Sequence, residues 1–268
     1  MLNIALQGLL QGLTEFLPVS SSGHLTLFQY FTGHTNLEAN MQTDIAIHFG
    51  TLLAVIFYFR KDLKPFFTIS GLKNQAVRRL GLLVAAASLP TAIMGIGLKK
   101  QFEALFSNPS AVCIALFTTG LILLLAERIK SKKSENINLN QMSFVKAMVI
   151  GIIQGMAITP GISRSGSTIG AGLILGLNGE EAARFSFLLM IPAVGGATLL
   201  EAKKLLSTST TAVAAHELLV GTFIAAITGF AALKLLEFII KKQKLSIFSY
   251  YLFMISICSF IAIKFAGN

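Results

Sequence analysis

The sequence predicts an all-α polytopic membrane protein: six transmembrane helices plus two re-entrant helical hairpins in an inverted-topology repeat. Three observations predict this. The chain is 54% hydrophobic and only 13% charged, about half the charged fraction of a soluble domain, and its mean hydropathy is +0.72. Its basic residues gather in alternate connectors between apolar runs. A 17-residue pattern occurs twice, 143 residues apart, at Gly8–His24 and Gly151–Ser167.

The elements follow in order. Residues 3–31 are long enough to cross a bilayer, for which about 20 apolar residues are needed. Their centre, however, holds Pro18 and Ser20-Ser21-Ser22-Gly23-His24. Irregular backbone at that depth is tolerated only inside protein or beside a wet cavity. A hairpin that returns to its own side is therefore expected. A half-helix of ~14 residues rises about 21 Å, enough to reach mid-membrane. Full spans are expected at about 43–59, 80–98 and 111–127. Residues 147–177 are broken at Pro160-Gly161 and by Ser163-Arg164-Ser165, and predict the second hairpin. Spans at about 182–201, 217–240 and 247–265 complete a single integral membrane domain over 1–268, with halves of about 1–127 and 145–265.

The net charge of +10 could suggest nucleic acid, but the placement of the charges argues against such a partner. Arg60, Lys61, Lys64, Lys73, Arg78 and Arg79 lie in one connector. Arg128, Lys130, Lys132, Lys133 and Lys146 flank a second, and Lys241, Lys242 and Lys244 a third, together 14 of the 22 basic residues. The intervening connectors hold only Lys99, Lys100, Lys203 and Lys204. By the positive-inside rule the first three are cytoplasmic and both termini lie outside. No Lys or Arg precedes Arg60, so the N-terminus lacks a signal-peptide basic region and is expected to stay in the mature protein. Cys113 and Cys258 sit in separate apolar runs without metal or disulfide spacing and read as spectators.

At the 143-residue offset Gln11 falls on Gln154, Gly12 on Gly155, Ser20 on Ser163, Ser21 on Arg164, Ser22 on Ser165 and Gly23 on Gly166. Arg60-Lys61 falls on Lys203-Lys204. Three predicted spans separate the hairpins. An odd number makes them enter from opposite faces, so their tips can meet near the midplane.

Candidate chemistry lies at these tips. Gln11 and Glu15 are four apart and share a helix face. Glu15 is an ionisable group in an apolar segment, which is costly and usually functional. It could bind a divalent cation, act as a base, or pair with Arg164. Ser20, Ser21 and Ser22 precede His24, a nucleophile near an acid/base, although serines also cap helices. In the second hairpin Ser163, Arg164, Ser165 and Thr168 sit where a half-helix begins. Free N–H groups, hydroxyls and one guanidinium there suit a phosphate. No P-loop pattern is present. Asp44 and His48 share a face of a span, as a pocket lining or a packed pair. Glu180, Glu181 and Arg184 read as a helix start, and Lys234 with Glu237 as a structural pair. The combined kit suits phosphoryl transfer. A polyprenyl-phosphate transporter or flippase would share the broken-helix architecture, and phosphate release by the purified protein separates the two.

Gln-Gly-x-x-Glu-Phe-Leu-Pro-Val-Ser-Ser-Ser-Gly-His (Gln11–His24) and Pro-Gly-x-Ser-Arg-Ser-Gly-x-Thr (Pro160–Thr168) closely resemble the two signature motifs of bacterial undecaprenyl pyrophosphate phosphatases of the bacitracin-resistance type. The likeness spans essentially the whole chain, including Ala183–Leu189. It implies hydrolysis of undecaprenyl diphosphate to undecaprenyl phosphate, recycling of the peptidoglycan lipid carrier, and bacitracin resistance. It also implies a bacterial inner (plasma) membrane location with the active site open to the outer face, and a divalent cation (Mg2+ or Ca2+). By the same resemblance Gln11, Glu15, Ser21, His24 and Arg164 are the functional positions, with Glu15 and Gln11 at the metal. Ser20, Ser22, Ser163, Ser165 and Thr168 join Arg164 at the phosphate. The family fills the first position with Glu or Gln; with Gln11 here, Glu15 and substrate oxygens would carry the metal. The phosphatidic-acid class of lipid phosphatases is excluded: no Asp follows Asp62, and the only His after Arg164 is His216. The nucleophile (Ser20, Ser21, Ser22 or water) and the oligomeric state, a homo-oligomer included, stay open at this stage.

Overall fold

The structure, a computed structural model, describes residues 1–34, 36–106, 108–132, 136–208, 212–241 and 244–266. Lys133 and Lys242 lie outside the described residues, as do the side chains of Lys99, Lys132, Lys204 and Lys241. The chain begins with α1 (Leu2–Phe16) and α2 (Ser21–Phe31), followed by α3 (Leu37–Tyr58), α4 (Arg60–Leu63), a 3-10 turn (Lys64–Phe67) and α5 (Ile69–Lys73). Then come α6 (Gln75–Gly97), α7 (Lys99–Phe106) and α8 (Pro109–Lys132). After a short 3-10 turn (Leu139–Gln141) follow α9 (Phe144–Met156), α10 (Arg164–Ile174), α11 (Gly179–Thr208), α12 (Ala215–Lys241) and α13 (Ser246–Ala266). Among the described residues six helices, α3, α6, α8, α11, α12 and α13, are long and apolar enough to cross a membrane.

Each of the six matches one predicted span, and the differences lie at the ends. α3 begins at Leu37 because the Asn36 side chain accepts from the backbone N–H groups of Glu38 and Ala39, both at 3.1 Å. α6 begins at Gln75 because Asn74 accepts from Ala76 N–H at 2.9 Å. Polar caps and first turns carry no hydropathy signal, yet they satisfy the free N–H groups of a helix start. The connector predicted over 60–79 is itself helical in α4 and α5. α1 stops where the residue before Pro18 must leave the helical region: Leu17 is extended, with φ −65° and ψ 145°.

The short helices are inside-out relative to a soluble protein. Leu2, Leu6, Leu9 and Leu13 of α1 are exposed, whereas Gln7, Gln11 and Glu15 are buried. On α9 the exposed side chains are Val145, Met148, Ile152 and Met156, and Gln154 is buried. Apolar outside and polar or small inside is what a lipid solvent selects.

The direction of each helix follows from its contacts. α1 runs parallel to α12, Gly8 on Gly221 and Gly12 on Ala225 and Thr228. α12 runs parallel to α3, Val213 meeting Gln42 and Thr222 meeting Ala46. α11 opposes α3, Gly195 lying by Leu52 and Arg184 by Asp62. α10 opposes α11, through Thr168 with Ser186 and Gly172 with Ala182. α10 is thus parallel to α1. Its partner α9 runs against it, with Lys146 Nζ donating to Leu175 O at 2.8 Å. The first helices of the two pairs therefore point in opposite directions. Their packing is reciprocal as well: α1 lies on α12, and α9 lies on α6.

Glycine permits both crossings. A Cβ at Gly8 would sit 2.5 Å from Gly221 O, and one at Gly151 would sit 2.0 Å from Ala87 O. Backbone cannot yield at these distances, and overpacking costs about 1–3 kcal/mol even where side chains can shift. Gly151→Leu is expected to abolish a monodisperse detergent-solubilised peak on size exclusion, whereas Val145→Leu on the exposed face of α9 leaves it intact. A well-behaved Gly151→Leu protein would show that the crossing can open.

Candidate active site

The buried face of α1 carries Gln7, Gln11 and Glu15 inward, and Glu15 stands at its end, 7% exposed. Arg164 is the first residue of α10. The two meet: Arg164 NH2 donates to Glu15 Oε1 at 2.8 Å. Ser21, the first residue of α2, donates its hydroxyl to Glu15 Oε2, and Gln11 Nε2 donates to the same oxygen at 3.0 Å. The tips are joined a second time by Ser165 Oγ, which donates to Leu17 O at 3.0 Å. Thr119 of α8 steadies the second turn, donating to Gly161 O and accepting from Ser163 N, both at 3.0 Å. Gly161 has φ +91°, a conformation open to glycine.

Both turns end in a serine cap. Ser20 Oγ accepts from Gly23 N at 3.3 Å and Ser163 Oγ from Gly166 N at 3.0 Å. The caps differ in backbone: Ser163 has an ordinary φ of −71°, but Ser20 has φ 68°. His24 locks the Ser20 turn. Its Nδ1 lies 2.8 Å from Ser20 O. A carbonyl only accepts, so Nδ1 carries the proton, and neutral Nε2 accepts from the Tyr251 hydroxyl at 2.7 Å. The two rings stack at 5.7 Å. Both imidazole nitrogens are thus engaged away from Ser21, and the group in place to receive the Ser21 proton is Glu15.

The remaining expected phosphate ligands are at the tips, with their hydroxyls in internal bonds. Ser163 caps α10 and lies 3.2 Å from Ser165 Oγ. Thr168 Oγ1 lies 2.6 Å from Ser186 Oγ and donates to Arg164 O at 2.8 Å. Ser22 Oγ is 3.4 Å from Ser20 Oγ. Among the buried side-chain atoms at the tips, Arg164 NH1, Gln11 Oε1 and Ser167 Oγ have no protein partner. Arg164 can therefore present NH1 to an anion without releasing Glu15.

Two neighbours had no functional reading in the sequence, and a third had one of two. Tyr251 reaches the site from α13, 227 residues from His24; Tyr250 stands beside it in the same apolar helix, and nothing in the sequence says which of the two faces inward. Thr51 accepts from Gln11 Nε2 at 3.4 Å. His48 was read with Asp44 as a pocket lining or a packed pair. Its Nδ1 donates to Asp44 O at 2.7 Å and its Nε2 lies 3.9 Å from Glu15 Oε2. The Asp44 carboxylate instead accepts from Gln29 at 3.3 Å. Away from the site, Arg184 pairs with Asp62 and Glu181, Lys234 lies over Phe230, and Glu237 accepts from Tyr58. Cys113 is buried and Cys258 exposed.

The Ser20 conformation has a measurable consequence. A left-handed non-glycine residue costs about 1–2 kcal/mol, whereas replacing a serine cap by glycine loses only a few tenths. Ser20→Gly is expected to gain about 1 kcal/mol, a rise in Tm of about 2–4 °C, in thermal unfolding in detergent. A lower Tm would show that the turn holds no strain.

Residues 4–258 match the family model described as bacitracin resistance protein BacA. A protein of Carboxydothermus hydrogenoformans named undecaprenyl-diphosphatase is 43% identical over 264 residues, 97% of this chain and 96% of its own. One of the same name from Halothermothrix orenii is 41% identical over 250 residues, 93% of each chain. A third, from Methanosphaera stadtmanae, is 41% identical over 276 residues, 97% of each. The chain belongs to the BacA bacitracin resistance protein family.

Proposed function

We propose that this protein is a membrane phosphohydrolase that converts undecaprenyl diphosphate to undecaprenyl phosphate and phosphate, recycling the lipid carrier of peptidoglycan synthesis and conferring bacitracin resistance. The observation that carries this reading is the Ser21 hydroxyl donating to a buried Glu15 whose other oxygen is held by Arg164. The hairpins enter from opposite leaflets of the inner membrane, with the site open to the outer face and both termini outside. The alternation of basic connectors and the opposed directions of α1 and α9 support that placement.

In the proposed reaction, Arg164 NH1 and the N–H groups at the start of α10 hold the terminal phosphate. Ser21 Oγ attacks its phosphorus while the hydroxyl proton passes to Glu15. The bond from that phosphorus to the bridging oxygen breaks, and undecaprenyl phosphate leaves, taking the proton from Glu15. Water then attacks the phosphoserine, giving a proton to Glu15, which returns it to Ser21 as phosphate departs. His24 holds the Ser20 turn through Nδ1–H and so aims Ser21. The apolar exterior leaves the lipid chain in the bilayer.

Glu15 and Gln11 would hold a divalent cation, Mg2+ or Ca2+. The fit rests on Gln11 Oε1, a buried oxygen without a partner, beside a carboxylate; hard cations take such donors and complete their shell with water and phosphate oxygens. When bound, the cation adds Lewis-acid charge opposite the phosphate.

Phosphate release from undecaprenyl diphosphate in detergent tests this. Glu15→Gln and Arg164→Ala are each expected to lower it by about 10²–10³-fold, the scale for losing one preorganised charge contact. Most activity surviving in either variant would overturn the assignment. Ser21→Ala is expected to fall equally; activity retained there while the other two are dead assigns the attack to water. Chelation is expected to abolish release, with recovery on adding Mg2+ or Ca2+. Full activity in excess chelator would remove the cation from the reaction.

A further inference from the structure

Beyond the residues of the two motifs, one side chain of α3 is built into the same site in a way that a proton or an ion pair does not explain. His48 donates Nδ1–H to Asp44 O at 2.7 Å. That bond puts a proton on Nδ1, so in the neutral ring the Nε2 lone pair faces Glu15 Oε2 at 3.9 Å. A lone pair facing a carboxylate is repulsive unless something positive lies between. Protonation would supply it, but charge-assisted N–H···O bonds close to about 2.7–2.9 Å, as Arg164 does at 2.8 Å on the same carboxylate. The wider gap leaves room for a ligated atom.

Gln11 adds a second observation. Thr51 donates its hydroxyl to His48 O at 2.9 Å, so toward Gln11 it can only accept. Glu15 also only accepts. Gln11 Nε2 lies against both, which fixes the amide orientation and leaves Oε1 buried and unpartnered. An imidazole whose other nitrogen is anchored on a backbone carbonyl is the usual form of a histidine metal ligand.

We propose that His48 is a ligand of the divalent cation at this site. With Glu15 and Gln11 it makes a mixed nitrogen–oxygen set that takes transition ions of the Mn2+ type more tightly than Mg2+ or Ca2+. This rests on the reading that a divalent cation serves the site. Among the described residues no group of three or more His, Cys, Asp or Glu converges on a metal position. The proposed set is three side chains, which leaves open positions for water and phosphate oxygens, the form of a catalytic rather than a structural site. Imidazole is the donor that shifts preference toward transition ions.

Mn2+ is the probe. Metal-free protein in detergent is titrated with Mn2+ and examined by pulsed electron paramagnetic resonance, alongside His48→Gln and His24→Gln. The wild type is expected to show imidazole 14N modulation on bound Mn2+, replaced by 15N modulation after [15N]histidine labelling. The His24→Gln protein is expected to keep that modulation. His48→Gln is expected to lose it and to bind Mn2+ about 10–100-fold more weakly, with a smaller change for Mg2+ in displacement titrations. Bound Mn2+ without histidine modulation in the wild type overturns the proposal while leaving a cation at Glu15, and needs no variant to fold. Modulation that persists in His48→Gln overturns it too. A wild type that binds no Mn2+ and hydrolyses undecaprenyl diphosphate in excess chelator overturns the proposal and the cation reading together.

Discussion

An ionised carboxylate inside a bilayer-sized helix bundle must be matched, and the rest of this structure is organised around matching Glu15. Leaving one partner of a buried pair unmatched costs about 3–5 kcal/mol. The match comes from Arg164, 149 residues away in the chain. Neither residue reaches the other unless α1 ends where α10 begins, and it does. α1 ends before Pro18, and α10 starts behind the Gly161 turn that Thr119 holds. The kinks that make both segments poor membrane spans are thus what bring acid and guanidinium together.

That placement tolerates little slack. The Arg164 contact is 2.8 Å and the turn contacts are 3.0 Å, so a helix displaced by an ångström loses them. Lipid gives helices no hydrophobic reason to associate, which leaves close packing and interhelical hydrogen bonds as the cohesive forces. Gly8 on Gly221 and Gly151 on Ala87 supply the first, and the Thr91 hydroxyl on Gly151 O, at 2.8 Å, supplies the second. These contacts lie on the helices that deliver the tips, so the rigidity of the site is set several turns away from it.

The repeated motif made Glu15, Ser21 and Arg164 legible, because polar groups inside apolar runs are conspicuous and the offset of 143 residues aligned the two turns. Spans were legible for the same reason of contrast, to within their capped ends. The roles of the serines were not legible. Ser163, Ser165 and Thr168 resemble phosphate ligands in a string of letters, but a hydroxyl beside a free backbone group caps or braces it first, as Ser163 does on Gly166 N and Ser165 on Leu17 O. Tyr251 lay beyond reach, and His48 was left between pocket lining and packed pair, for a different reason. Each comes from a long apolar helix whose rotation about its own axis is set by tertiary packing, and the scattered polar residues of such a helix do not reveal which of them faces the site.

The same repeat explains why chemistry appears once in a frame that is built twice. Ser21 and Arg164 occupy equivalent positions, each the first residue of the second helix of its pair. Both donate to one carboxylate, Ser21 to Oε2 and Arg164 to Oε1. The counterpart of Glu15 at the same offset is Ile158, and that of Gln11 is Gln154, which donates to Thr91 at 3.1 Å as Gln11 does to Thr51 at 3.4 Å. Two equal hairpins would bring two acids or two cations face to face, and like charges at that range repel by several kcal/mol at the low dielectric of a protein interior. One acid, one guanidinium and one hydroxyl at three of the four tip positions resolve this. The frame keeps its paired packing, the charges cancel, and the hydroxyl lies on the carboxylate that can take its proton.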